Sequence, residues 1–257
     1  QYRGESDNLT VGSHYLAHRD ANSKTWLNAG GFVKSQNNYI DDTEVDVQRR
    51  KIAGWTAGLT DERKLGDASL RTELTYQRGT GALDAIDPPE RLFNEGTART
   101  GIYKLSSSLT RPFRLTVANK PQQWVYSGSL KGQYAMDALV PSERMAIGGR
   151  YSVRGFDGER TLAGDHGVLA RQDVSLYLGN QPHAIYAGVD AGYVSMKNKD
   201  QNDLLLGHSL VGAAVGIKGQ IAPLHASYDV FTGYPLKQPD GFGDKHWVSG
   251  FSLNFEF

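Results

Sequence analysis

The residues best able to do chemistry lie in the run Met145-Ala-Ile-Gly-Gly-Arg-Tyr-Ser-Val-Arg-Gly-Phe156, where Arg150 and Arg154 stand among Gly148, Gly149 and Gly155, with Val153 and Phe156 as apolar anchors. The chemistry they suit is ion pairing. Glycines let the backbone fold tightly or approach another chain closely, and a guanidinium carried into an enclosed site needs a carboxylate to accept its fixed fork of donors. The run is therefore expected to be a loop that folds inward. Other constellations are weaker. His225, Ser227 and Asp229 have the residue types of a hydrolytic triad, but their spacing in one strand reads as a row of polar wall residues. His14 and His18, four apart on a strand, are separated by about 13 Å along one face and cannot share a metal. Asp87-Pro-Pro-Glu90 reads as a solvated turn. The chain has no cysteine, which excludes disulfides, thiolate catalysis and thiolate-bound metals. No catalytic residue, metal or cofactor is expected.

The elements that position the loop are strands. Segments of roughly ten residues alternate apolar and polar side chains, the period of a strand with one face against something apolar. Ile185, Ala187, Val189, Ala191 and Tyr193 oppose Tyr186, Gly188, Asp190 and Gly192; Leu70, Thr72, Leu74 and Tyr76 oppose Arg71, Glu73, Thr75 and Gln77; Leu224, Ala226, Tyr228 and Val230 oppose His225, Ser227 and Asp229. Eleven segments follow this rule, near 7–19, 23–36, 43–61, 67–79, 99–109, 122–136, 167–179, 183–196, 207–219, 222–232 and 246–257. Their length is that of a tilted membrane-crossing strand. No helical periodicity is present. Short links at 20–22, 61–66, 179–182 and 220–222 alternate with long ones at 37–42, 80–98, 137–166, 197–206 and 233–245. Short periplasmic turns opposite long outer loops are the habit of a membrane barrel, whereas a soluble sandwich has no reason to sort its links by length. Only 110–121 departs from the alternation, being long where a tight turn is expected. Asp190 falls on the polar, inward face of its strand, so it is the expected partner of Arg154, with Asp173 as a rival.

Composition agrees. Lys and Arg total 28 against 28 Asp and Glu, so there is no basic excess of the kind that nucleic acid attracts. Hydrophobic residues make up only 39%, while glycine (30) and tyrosine (13) are plentiful, as suits a barrel with a wet interior. No apolar run approaches the roughly 18 residues of a membrane helix. The first stretch has no secretory-signal pattern, so a removed leader or further upstream sequence is expected. In the last segment Trp247, Ser249, Phe251, Leu253, Phe255 and Phe257 share one face; such an edge invites aggregation in water but suits lipid. Tyr15, Trp26, Trp55, Tyr103, Trp124, Tyr126 and Trp247 are expected in an interfacial girdle.

Several stretches together resemble the transporters of two-partner secretion (the TpsB family), outer-membrane pores that export haemagglutinins, haemolysins and contact-inhibition proteins. They are Tyr2-Arg-Gly-Glu, Tyr15-Leu-Ala-His-Arg-Asp, Lys24-Thr-Trp-Leu, Asn38-Tyr-Ile-Asp-Asp, Tyr76-Gln-Arg-Gly-Thr, Gly132-Gln-Tyr, Ile147-Gly-Gly-Arg-Tyr-Ser-Val-Arg-Gly-Phe, Gly164-Asp-His-Gly-Val-Leu-Ala-Arg, Tyr186-Ala-Gly-Val-Asp-Ala-Gly and Pro235-Leu-Lys-Gln-Pro. Gln172 and Asp173 stand where many members have Asn followed by Glu, which keeps the chemistry with a shorter acid.

The resemblance implies an all-β fold, a sixteen-stranded transmembrane antiparallel barrel of which residues 1–257 resemble the C-terminal portion of about eleven strands. The loop at about 137–166 would plunge into the lumen. Periplasmic polypeptide-transport-associated domains, a plug helix and the first strands would precede this region. Asp190 matches the inward acid that pairs with the loop arginine, here Arg154; Arg171 and Asp173 are further lumen partners. Phe251, Leu253, Phe255 and Phe257 resemble the terminal signal read by the barrel assembly machinery. The implied partners are an unfolded secreted exoprotein, that machinery, and the lipid and lipopolysaccharide of the outer membrane; no nucleic acid is expected. The rival readings are a barrel-assembly insertase of the same superfamily, which the strand motifs disfavour, and an outer-membrane enzyme, which lacks a credible nucleophile.

Overall fold

A computed structural model describes residues 2–41, 43–45, 49–86, 88–93, 95–117, 119–179 and 181–256. The strands are β1 (Tyr2–Arg19), β2 (Ser23–Ile40), β3 (Thr43–Glu44), β4 (Arg50–Leu65), β5 (Ala68–Thr80), β6 (Gly101–Val117), β7 (Lys120–Ala135), β8 (Met145–Ile147), β9 (Leu162–Gly164), β10 (His166–Tyr177), β11 (His183–Ser195), β12 (Ser209–Ile221), β13 (Ala226–Lys237) and β14 (Val248–Phe255). Eleven long strands form one antiparallel sheet in sequence order, β1-β2-β4-β5-β6-β7-β10-β11-β12-β13-β14, with β3 pairing on β2. The short β8 and β9 form a separate hairpin inside the β7–β10 connection, residues 136–165. The strand count expected from alternation is the count observed, and the chain is all-β apart from short helical turns such as α1 (Lys199–Asp203).

The exceptional link at 110–121 is not a loop. β6 continues to Val117 and β7 starts at Lys120, so the connection is a tight turn with Asn119 at φ 62°. Pro112 and Pro121 lie within these strands, although a proline lacks the amide donor and normally marks a strand's end. Here both sit where pairing is one-sided, because β5 follows β6 only to Thr110 and β10 follows β7 only to Trp124. The missing donors are not missed.

Three further expectations are corrected. His225 is not a wall residue; Ala222–Leu224 form a 3₁₀ turn and His225 has φ 45°, so β13 begins at Ala226. Pro235 belongs to β13 rather than to the following loop, opposite Gly212 where a bulge at Val211/Gly212 absorbs it. His14 and His18 do not share a face, because a bulge between Leu16 and His18 reverses the alternation and pairs His14 with Asn28 but His18 with Thr25.

The two faces of the sheet differ as their chemistry requires. Val189, Tyr193, Val215, Val230 and Phe251 are exposed on one face, while Tyr186, Asp190 and Val194 of the same β11 strand are buried on the other. Aromatic rings line the exposed face at two levels. Near the long loops, Trp55, Tyr76 and Tyr103 form a cross-strand ladder (centroids 5.5 and 4.8 Å apart), Tyr134 stacks on His166, and Tyr234 meets Trp247. Near the short turns, Phe113 stacks on Trp124 and His183 meets Tyr228. Along β7 from Trp124 to Tyr134 the strand advances about 33 Å, or about 25 Å of height at the usual barrel tilt, which is the depth of an outer-membrane apolar band.

Candidate functional site

The β7–β10 connection lies against the buried face of the sheet and supplies half of the largest buried cluster. Ile147, Val153, Phe156 and Leu162 of the connection pack on Leu169, Val194 and Leu210 of the wall and on Phe242 of the last loop, with Phe156 and Phe242 edge to face at 5.6 Å. Its tip is folded by its own residues. The Ser152 hydroxyl accepts from the amides of Gly148 and Gly149 (3.0 and 3.1 Å) and the Ser152 amide donates to the Gly149 carbonyl at 2.8 Å. Gly148 (φ 123°) and Gly155 (φ 102°) hold backbone angles that a side chain would strain.

That fold separates the two arginines. Arg150 is exposed, its guanidinium 4.7 Å from the Tyr151 ring. Arg154 is 2% exposed and is gripped from two strands. Its Nε donates to Asp190 Oδ2 at 2.7 Å, one terminal nitrogen donates to Asp190 Oδ1 and to Asp173 Oδ1, each at 2.6 Å, and its backbone amide donates to Asp190 Oδ2 at 2.9 Å. Asp190 is 1% exposed. Both acids named from the sequence therefore meet the same guanidinium, Asp190 along the fork and Asp173 at its end. Arg171 lies beside them, its Nε 3.7 Å from Asp190 Oδ1 and a terminal nitrogen donating to the Arg150 carbonyl at 3.5 Å. The Tyr186 ring lies 5.7 Å from the Arg154 guanidinium, and its hydroxyl donates to Asp229 at 2.8 Å. Desolvation opposes the charge on Arg154, but hydrogen bonds and attraction from Asp190, then Asp173, outweigh it and raise its pKa above the ordinary arginine value. The guanidinium thus stays charged where it is buried, and the site can hold the loop by a permanent cation.

Pattern reading passed over the wall glycines that admit the loop. A Cβ on Gly212, the cross-strand neighbour of Asp190, would collide with the Arg154 carbonyl; one on Gly233 would come within 2.6 Å of the Gly155 amide; one on Gly188 would run into the Asp173 carboxylate. Their signal was present as glycines on the inward period of β11, β12 and β13. Asp165, fully buried, was also missed: its carboxylate accepts from the amides of Leu139 (2.9 Å) and Lys197 (2.8 Å) and lies 3.4 Å from Arg144 Nε, tying the two ends of the connection to the β11–β12 loop.

At the end of the chain, Phe251, Leu253 and Phe255 are exposed on one face of β14. Phe257 and Asp87 lie outside the described residues. Among the described residues no group of three or more His, Asp and Glu is arranged to hold a metal ion.

The sequence matches the family model of the haemolysin secretion/activation protein ShlB/FhaC/HecB over residues 1–219. The chain belongs to that family. Relatives of this ShlB/FhaC/HecB chain include the outer membrane transporter CdiB-2 of Burkholderia pseudomallei, 30% identical over 85% of this chain and 37% of the relative, and the outer membrane transporter CdiB of Dickeya dadantii, 29% identical over 99% and 44%. In structure it is similar to CdiB from Acinetobacter baumannii, with a TM-score of 0.81, 32% identity, and coverage of 99% of this chain and 42% of that one. The chain thus spans less than half the length of these relatives. The ShlB/FhaC/HecB membership accounts for the sheet's apolar outer face and its aromatic levels: this is the strand framework of an outer-membrane β-barrel.

Proposed function

We propose that this chain is the barrel portion of an outer-membrane pore that exports a large partner exoprotein, an adhesin, haemolysin or contact-dependent inhibition toxin, by two-partner secretion. The observation that carries the reading is the Arg154 guanidinium shared between Asp190 and Asp173 at 2.6–2.7 Å, on a loop seated in glycine-lined wall. An arginine held this way fixes the loop tip against the inner wall and sets the bore left for an unfolded chain. The exoprotein would pass along the polar inward faces without a covalent step, its folding outside supplying the direction. Membership in a secretion family and likeness to CdiB transporters support the pore over an insertase or an outer-membrane enzyme. The exoprotein, the assembly machinery and lipopolysaccharide belong to this proposal as partners, with Phe251, Leu253, Phe255 and Phe257 as the assembly signal. The test is secretion of the partner exoprotein by the full-length transporter carrying Arg154→Ala or Asp190→Ala: assembly of the barrel with secretion strongly reduced is expected, and normal secretion by both variants would overturn the role of the clamp.

A further inference from the structure

The loop carries a second buried charge that the Arg154 site does not use. Glu143 sits in the first limb, in the 3₁₀ turn Pro141–Glu143, with its side chain 4% exposed. Its carboxylate faces a different part of the wall. Oε1 accepts from Lys34 Nζ of β2 at 2.6 Å, Oε2 accepts from Gln77 Nε2 of β5 at 2.7 Å, and Lys104 Nζ of β6 lies 3.9 Å from Oε2. Lys104 also donates to Gln77 Oε1 at 2.9 Å, which turns the amide so that its nitrogen points at the acid. The Glu143 carbonyl accepts from Gln133 Nε2 of β7 at 2.9 Å. Three residues earlier, Val140 is buried against Phe32 and Ile52 of β2 and β4.

We propose that Glu143 is a second, separate anchor of the loop, a positioning residue that holds its first limb across the lumen on β2, β5 and β6, while Arg154 holds its tip on β10 and β11. The physical argument is charge compensation. Two lysines facing inward at one spot repel each other, and a single carboxylate between them removes that repulsion while finding its own partners. Among the described contacts, no hydrogen bond or ion pair links Glu143 to Arg154, Asp173 or Asp190, so either anchor can release its part of the loop. Full opening of the bore would require both to let go. The inference rests on the reading of this connection as a lumen loop, but its test needs no exoprotein.

The test uses two cysteine reporters in the full-length transporter in lipid vesicles, Val140→Cys in the first limb and Val153→Cys at the tip, both at buried positions. Glu143→Ala is expected to raise thiol modification of the Val140→Cys reporter at least about tenfold, equivalent to ~1.4 kcal/mol of lost local protection, and to leave Val153→Cys within about twofold. Lys34→Ala should act in the same direction, providing a variant that leaves the loop sequence intact. Glu143→Lys should open the limb further, and Lys34→Glu added to it should restore protection, a reversal that packing loss would not give. Val140→Cys remaining protected in both Glu143→Ala and Lys34→Ala would overturn the anchor, and equal exposure of both reporters would overturn its independence. A failed anchor with secretion still dependent on Arg154 leaves the secretion reading standing; secretion indifferent to Arg154 with the reporters responding as expected would remove that reading alone.

Discussion

Removing the Asp190 carboxylate perturbs the clamp at its most buried point. Asp190 accepts three hydrogen bonds from Arg154, at 2.9, 2.7 and 2.6 Å. A hydrogen bond to a charged group contributes about 1.5–3 kcal/mol, but these three form one contact and do not sum. Breaking a buried pair from one side costs about 3–5 kcal/mol, because the remaining charge is stranded. In Asp190→Ala the guanidinium keeps Asp173 at 2.6 Å, so the cost should fall at the lower end, about 3 kcal/mol. Arg154→Ala leaves two carboxylates with no guanidinium nearer than that of Arg171, 3.7 Å from Asp190, and only the backbone amide of residue 154 still donating to Asp190, so it should fall higher in that range. Asp190→Asn should cost less than Asp190→Ala, because its carbonyl oxygen can still accept from the Arg154 amide and Nε while its NH2 faces the terminal guanidinium nitrogen. The assay is the thiol modification rate of Val153→Cys in vesicles, where 3 kcal/mol corresponds to an increase of about a hundredfold. Because Arg154→Ala and Asp190→Ala break one contact, their double mutant should show a coupling of about 2–3 kcal/mol rather than additive effects. A rate for Asp190→Ala within about threefold of the parent, or coupling below ~0.5 kcal/mol, would refute the reasoning.

Two other perturbations probe the wall. Val189 is 48% exposed on the apolar face, so Val189→Arg should cost about 2–4 kcal/mol near the bilayer midplane in lipid refolding, while Ser252→Arg on the inward face of β14 should cost less; equal losses would count against the membrane face. Gly192 is a poor inward control, because a Cβ there already comes within 3.0 Å of the Ile147 side chain. Gly212→Ala should displace the loop by driving a methyl into the Arg154 carbonyl, with an overpacking cost of about 1–3 kcal/mol read as faster Val153→Cys modification, whereas Gly12→Ala, whose Cβ has no neighbour nearer than 3.8 Å, should leave it unchanged.

The sequence by itself determined the number of long strands, their faces and the end at which the long links lie. A strand's side chains alternate with a period of two whatever surrounds it, so Ile185–Tyr193 and Leu70–Gln77 declare an apolar and a polar face locally. It also determined that Arg154 would need an acid and that Asp190 stood on the inward face. Local rules failed where the decisive fact was a neighbour. The segment 110–121 read as a long link, yet it is two strand ends and a tight turn, because the cost of Pro112 and Pro121 in a strand depends on whether a second strand needs the amide, which only the register decides. His14 and His18 were set on one face because a bulge is a property of two strands together. Asp173 and Asp190 read as rivals, yet a planar guanidinium has donors enough for both, and only their positions on adjacent strands bring them within reach of one side chain. Glu143 carried no signal in its own segment, because its partners Lys34, Gln77 and Lys104 lie 109, 66 and 39 residues away along the chain and meet it only when the sheet wraps around the loop.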